Sequence, residues 1–401
     1  MGLVLRLAVP HSFSLARVVC SYGFYMMQPN RWLPESGDLE RPLRLKDGRA
    51  VVTILSEEAP GMLAVRVLGV EELPEDDREE ILSQVKRMLR LSDEEDFLVT
   101  GFHALHPKAK EEGFGRLIRS PTLFEDMVKS ILLCNCGWGR TLQMARALCE
   151  LQFELKGAPV GYTKVLAYEK IEFAVTTVSS SSKKRKSVVA RSTTKSRVKR
   201  LQKAFNESMQ GAGLAPPEML EAETGTQAFD TQVGAFPTPE ELKDLEPDFL
   251  SKRCGLGYRS KMLVKLAQDV ASGDLELGKF EGPEALQGDS LRCAVLKVYG
   301  FGPFCCANVM MLLGNYNVIP ADSETLRHLK QFHGMQGVTK QNLAKVVAAV
   351  YEKYKPYEFL AYWWEIWRSY EQRFGDLTRM SASEFHQITG VNMKTLNAET
   401  S

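Results

Sequence analysis

The stretch GFGPFCCANVMMLLGNYNVIPADSETLRH, residues 300–328, decides how this chain is read. Gly300 and Gly302 flank Phe301, and Pro303 follows at once. Glycine adopts φ > 0 and lets a backbone lie close to another surface, while proline suits the first turn of a helix. LRCAVLKVY before the turn and FCCANVMMLLG after it both have helical character, so the spacing predicts helix, short hairpin at 299–304, helix. The N–H groups of such a turn and of the helix start converge outward, an arrangement that favours an anion such as phosphate. Contacts made by backbone alone carry no base sequence information. The same residues would also serve as a sharp corner in a helical bundle.

Asp322 adds weight to the first reading. A helix of about ten residues is about 15 Å long, and the link through Pro320 turns the chain back. The carboxylate is then expected near the second helix but set off from the anion contact. There it could capture water or stabilise positive charge at a sugar carbon, as in glycoside cleavage through an oxocarbenium-like state. DSET ahead of LRHLKQF equally predicts a helix start with Asp322 or Ser323 as N-cap, and the two roles are compatible.

Outward from this segment, residues 1–112 read as an α+β unit. LRLAVP, RPLRLKDGRAVVTIL and GMLAVRVLG are strand-like with a KDGR turn, and DREEILSQVKRMLRL is an amphipathic helix. From Ser120 the pattern is helical: SPTLFEDMVKSILLCN opens with Ser and Pro, and TLQMARALCELQF follows. The helical part is expected over 113–156 and 236–390, with a tail at 391–401. Between them, 157–235 combines a Ser run, basic clusters and GAGLAPPEMLEAETGTQ, the composition of a disordered insertion. Residues 183–203 hold ten Lys or Arg and no acid, and the rest of the chain has 41 basic against 50 acidic residues. KKRK and KSRVKR within 183–200 match a nuclear import signal read by an import receptor; a nucleic-acid arm or a plain solvated linker are the other readings. PYEFLAYWWEIWRSYEQRF near the end carries aromatic residues at helical spacing, so Trp363, Trp364 and Trp367 are expected to pack in a core.

The 401 residues, 44% hydrophobic and 25% charged, are those of a globular chain of two or three domains. No apolar run approaches the roughly 20 residues that cross a bilayer, so no membrane partner is expected. The N-terminus, with Arg6 inside its apolar run, is a poor signal peptide. Cys149, Cys254, Cys293, Cys305 and Cys306 read as reduced core thiols of an intracellular protein. Cys134 and Cys136 have no second ligand pair nearby, so no metal and no cofactor are expected.

Taken in order, four segments resemble the helix-hairpin-helix DNA glycosylases of the 3-methyladenine and 8-oxoguanine kind. These are GFGP with IPAD ending at Asp322, the helix and loop SPTLFEDMVKSILLCNCGWGR, CGLGYRSKMLVKLA, and the closing aromatic helix. The resemblance implies an α+β fold: a mainly helical, two-lobed glycosylase domain with a small N-terminal antiparallel-sheet domain. It implies Asp322 as the catalytic carboxylate and Gly300, Phe301 and Gly302 as the phosphate-binding hairpin. Asn135 and Arg140 match a wedge loop, and Tyr258 with Arg259 match residues beside the lesion. Trp138 is a further candidate for the vacated space, with core packing as its alternative. The lyase-competent members carry a nucleophilic lysine where this chain has Phe304, and no C-x₆-C-x₂-C-x₅-C iron–sulfur pattern is present.

The implied function is a monofunctional DNA N-glycosylase of base excision repair, a hydrolase acting on damaged double-stranded DNA. The basic clusters within 183–200 make the nucleus the expected location, and a monomer is the default expectation. Without an amine nucleophile no Schiff base forms, and the product is an abasic site in an intact strand. Alkylated purines suit Phe304, and oxidised guanine suits GLGYR. The alternatives are a helix-hairpin-helix module that binds damaged DNA without chemistry, and a helical scaffold that never meets DNA.

Overall fold

The computed structural model describes residues 2–157, 199–203, 233–282 and 284–393. Five strands open the chain: β1 (Gly2–Ala8), β2 (Arg31–Leu33), β3 (Asp38–Arg44), β4 (Ala50–Ala59) and β5 (Met62–Leu68). They form one antiparallel sheet in the order β1-β5-β4-β3-β2. β3 and β4 join at the KDGR turn, where Leu45 N donates to Arg49 O at 2.8 Å and Gly48 takes φ +82°. The three-residue edge strand β2 was not visible in the sequence, because one Trp between two polar-flanked positions gives no alternation to read.

The helices that build the rest are α1 (Glu75–Leu89), α2 (Asp93–Leu105), α3 (Leu123–Leu133), α4 (Trp138–Lys156), α5 (Pro247–Arg253), α6 (Arg259–Ser272), α7 (Gly288–Leu296), α8 (Pro303–Leu312), α9 (Ser323–Gln331), α10 (Leu343–Tyr351) and α11 (Glu358–Phe374). The expected α+β architecture is therefore present, a small antiparallel sheet ahead of a mainly helical body. α3 starts at a Thr122 cap that accepts from Glu125 N, two residues later than the Ser-Pro signal implied. No helix of the described residues is long and apolar enough to cross a membrane. Cys293 is exposed, unlike the other four thiols read as core, because it lies on the outer face of α7. Of the stretch read as a disordered insertion, residues 199–203 are helical, and 233–235 pack on α4, with Ala235 N donating to Gln152 Oε1 at 2.9 Å. The remainder of that stretch, including the basic cluster at 183–198, lies outside the described residues.

One continuous apolar core runs from the sheet into the helices. Leu39, Arg41 and Leu43 share the inward face of β3, so a strand position facing the core holds an arginine. A buried charge is tolerated only when paired. Arg41 Nη2 meets Glu125 of α3 at 3.0 Å, Lys129 Nζ meets the same carboxylate at 2.7 Å, and Arg41 Nη1 donates to Asn30 Oδ1 at 2.9 Å. This ties the sheet to α3, whose C-terminal loop borders the site below. The segment between β1 and β2 also enters the helical body. Tyr25 Oη donates to Leu377 O at 3.1 Å, and Trp32 Nε1 donates to Thr378 O at 2.7 Å.

α8 is apolar apart from Asn308 and is buried from Cys305 to Leu312. Its last carbonyls are capped by cations from distant parts of the chain. Arg90, fully buried, donates to Met311 O at 3.0 Å and Leu312 O at 3.1 Å, and Arg119 donates to Leu312 O at 3.0 Å. Positive charge at a helix C-terminus complements its dipole. The opposite end of α8 has no side-chain cap.

Candidate active site

The open end of α8 is the hairpin. α7 stops at Leu296, Phe301 N donates to Val298 O at 3.0 Å, and Gly302 is the N-cap with Pro303 in the first turn. Gly302 offers no side-chain acceptor, so the first N–H groups of α8 have no capping side chain. Gly300 is exposed at φ +82°, where an added Cβ would stand 2.6 Å from Met262 Cε. The turn is thus held against α6 at a distance only glycine permits. The Phe301 side chain is buried in the core and anchors the turn from within, so the exposed Gly300 and half-exposed Gly302 present backbone, flanked by the exposed Tyr299 and Pro303.

After α8 the chain turns at Gly314, φ +83°, and returns through Pro320 to Asp322. Asp322 is the N-cap of α9: its Oδ1 accepts from Thr325 N at 2.8 Å and lies 2.9 Å from Thr325 Oγ1. Thr325 Oγ1 is in turn 2.6 Å from Pro320 O and 2.8 Å from the buried Tyr362 hydroxyl. Burial pushes the Asp322 carboxyl above its ordinary range, against the lowering effect of the Thr325 bonds. Oδ2 takes part in neither Thr325 bond.

Asp322 lines a cavity of about 460 Å³, within the size range of small-ligand sites, about 300–1,000 Å³. Besides the segment of Asp322 itself, its walls come from five parts of the chain. Tyr22 and Phe24 come from the segment between β1 and β2, Trp138 from the start of α4, and Phe304 and Asn308 from α8. α11 gives Phe359, Trp363 and Trp367, and residues Ile388–Val391 cross the remaining side. Polar contacts hold these walls. Tyr22 Oη donates to Asn308 Oδ1 at 2.9 Å, Asn308 Nδ2 to Phe304 O at 2.8 Å, and Trp363 Nε1 to Ser21 O at 2.9 Å. Trp138 presses on Gly23, where an added Cβ would stand 3.1 Å from Cη2, and its indole N–H is buried without a partner. At the rim Glu324 accepts from Tyr370 Oη at 2.8 Å and pairs with Arg327. Among the described residues lining the cavity, Arg327 is the cation and there is no lysine.

Comparison with solved structures places this arrangement. A 3-methyladenine DNA glycosylase from Archaeoglobus fulgidus superposes with a TM-score of 0.55 and 15% identity, over 92% of this chain and 99% of that one. MBOgg1, solved with a low-affinity DNA ligand, gives 0.53 and 15% over 92% and 95%. An 8-oxoguanine glycosylase/lyase of Clostridium acetobutylicum in its apo form gives 0.51 and 13% over 91% and 95%. The fold is that of the helix-hairpin-helix DNA glycosylases. No family model and no curated protein matches the sequence itself.

Within this glycosylase fold, the other sequence candidates gather at the loop after α3, whose Cys136 and Gly137 line the cavity while the candidates themselves do not. The loop after α3 carries Asn135 at φ +47°, exposed. Its Nδ2 donates to Tyr258 Oη at 3.4 Å, and Tyr258 is 54% exposed. Arg259 is buried: it donates to Cys134 O and, at 3.1 Å, to Asn135 O, and its guanidinium lies 4.7 Å from the Tyr258 ring centre. Arg259 therefore braces the loop from inside rather than presenting its side chain outward. Arg140 is exposed and donates to Gly255 O at 3.1 Å. The structure thus links Asn135, Tyr258 and Arg259 directly, ties Arg140 to the nearby Gly255 carbonyl, and places Asp322 in the cavity and Gly300 to Gly302 on the hairpin.

Sequence reasoning missed Tyr22, Asn308 and Glu324. Tyr22 and Asn308 are 286 residues apart and carry no local signal; Glu324, two residues past Asp322, reads as an ordinary first-turn acid. The tryptophans of α11 were expected to pack, and Trp364 does so, donating to Glu112 Oε2 at 2.7 Å. Trp363 and Trp367 are cavity wall as well.

Proposed function

We propose that this chain is a monofunctional DNA N-glycosylase of base excision repair that removes a damaged purine, alkylated rather than oxidised, from duplex DNA. One observation carries the proposal: Asp322 lines an aromatic-walled cavity one helix beyond the hairpin, with Phe304 on the wall where a lyase would carry its lysine. The glycosidic bond is shielded in the base stack, so the nucleotide must leave the duplex and enter the cavity. The hairpin N–H groups and the start of α8 hold a phosphate of the distorted strand. Exposed Asn135 and Tyr258 fill the space left behind. The ionised Asp322 then stabilises the oxocarbenium-like sugar or activates water on it. Phenylalanine forms no Schiff base, so the strand stays intact. Electron-rich walls from Trp138, Trp363 and Tyr22 favour a cationic base, which leaves with little protonation help. We place the protein in the nucleus as a monomer, through an import receptor that reads 183–200.

The test is turnover on duplexes carrying one defined lesion each, with and without alkali. Base release with strand cutting only after alkali, lost in Asp322→Asn, supports the proposal. Cutting without alkali contradicts the monofunctional assignment. A second reading, a DNA-damage-binding module without chemistry, is favoured by the N-cap role of Asp322, which would retain the residue for folding alone. Tight binding to lesion DNA with no base release would select it.

A further inference from the structure

We propose that His328, His333 and Glu365 bind one zinc-class divalent cation that fastens the C-terminal end of α9 to α11. Asp322 caps the other end of α9, so the site would brace the helix on which the candidate carboxylate stands; none of the three ligands lines the cavity, though Tyr362 packs on His328 and lines it.

His328 Nε2 lies 3.1 Å, His333 Nε2 2.9 Å and Tyr351 Oη 2.5 Å from a single oxygen, Glu365 Oε2. All three ligand atoms of the triad fall within 4.8 Å of one another. A carboxylate oxygen offers about two lone-pair positions, so three polar atoms crowd one oxygen. The same convergence is what a single ion bonded at about 2.0–2.2 Å to imidazole nitrogen and carboxylate oxygen requires. Two imidazoles with one carboxylate is a nitrogen–oxygen donor set suited to zinc, and the Tyr351 hydroxyl, 3.2 Å from His333 Nε2, is placed to hydrogen-bond a water in the fourth position.

The surroundings fit an ion rather than a surface pair. His328 is fully buried and Glu365 is 12% exposed, while His333 at 21% leaves an entry side. Rings of Phe332, Tyr351 and Tyr362 pack against the two imidazoles, Phe332 itself staying half exposed. His328 Nδ1 has no partner, so no other hydrogen bond holds a proton on either nitrogen, and the tautomer is set by what occupies the centre. The two histidines stand at H-x₄-H spacing, which is compatible with a zinc site, but spacing does not point to Glu365, which lies on α11.

The experiment uses untagged full-length protein stripped with chelator, then titrated with Zn²⁺ while heat and melting temperature are followed. One ion per chain and a raised melting temperature are expected. His333→Ala, at the partly exposed ligand, and Glu365→Gln should weaken zinc binding by at least about 100-fold, the upper end of what removing even an outer-shell partner costs. Cys134→Ser/Cys136→Ser should bind as the unmodified chain does. Co²⁺ should give a spectrum without thiolate charge transfer. No uptake, equal uptake by His333→Ala, or thiolate charge transfer would each overturn the proposal. Base release in the proposed function is read separately on the same preparations, so loss of one does not mimic loss of the other.

Discussion

Asp322 is both an N-cap and the proposed catalytic carboxylate, and replacing it by Asn separates the roles. The amide oxygen of Asn accepts from Thr325 N and Oγ1 as Oδ1 does, and Asn and Asp are near-equal caps. Burial raises the folded-state pKa above the ordinary 3.8. A raised carboxylate pKa means the ionised form is held less favourably in the folded chain than in the unfolded one. Stability from this group is therefore greatest at low pH and falls as pH rises through the folded pKa. A neutral amide removes that cost. Asp322→Asn should accordingly be as stable as the unmodified protein at pH 7, or slightly more so. Asp322→Ala loses the cap and should lose about 1 kcal/mol. Both should lose about 10²–10⁴ in single-turnover base release, the range for a positioned acid–base or electrostatic group. In the unmodified protein the rate should fall as pH drops through the raised pKa, with a midpoint above the ordinary 3.8. Urea denaturation measures the first pair of values and alkali-developed strand cutting the second. If Asp322→Asn releases base at the unmodified rate, the carboxylate has no part in the chemistry. If it loses stability as Asp322→Ala does, the cap argument is wrong.

The hairpin gives a second contrast. Gly300→Ala meets both a left-handed backbone, about 1–2 kcal/mol, and Met262 at 2.6 Å, about 1–3 kcal/mol of overpacking; denaturation should show a loss of about 2–5 kcal/mol, partly recovered by Met262→Ala. Gly302→Ala has open space around its Cβ, so it should fold normally but bind duplex more weakly in a fluorescence titration, because the methyl group stands where a phosphate approaches. Phe304→Lys places an amine on the cavity wall and should allow borohydride trapping of a protein–DNA adduct that the unmodified chain does not form. In chelator-treated protein, Glu365 is held at about 2 against an ordinary 4.5 by hydrogen bonds from His328, His333 and Tyr351 that outweigh its burial. Its contribution, about 3 kcal/mol, is present above pH 4.5 and lost between 4.5 and 2, so Glu365→Gln should flatten the stability–pH curve there.

What the chain determined by itself is local. Gly-Phe-Gly-Pro, the N-cap signal DSET and the apolar run between them are decided by neighbours within one helical turn, because φ preferences and caps involve adjacent backbone groups. The hairpin, the start of α9 and the KDGR turn could all be read for that reason. The edge strand β2 and the Thr122 cap could not be, since short or competing local signals are settled by packing. The cavity was decided only by the tertiary structure. Tyr22 reaches Asn308, Trp363 reaches Ser21, and Arg90 caps the far end of α8, through contacts that no spacing along the chain announces. A cavity is the space left between elements, and its walls are chosen by how those elements pack. The sequence could therefore point to a candidate carboxylate but not to the chamber around it.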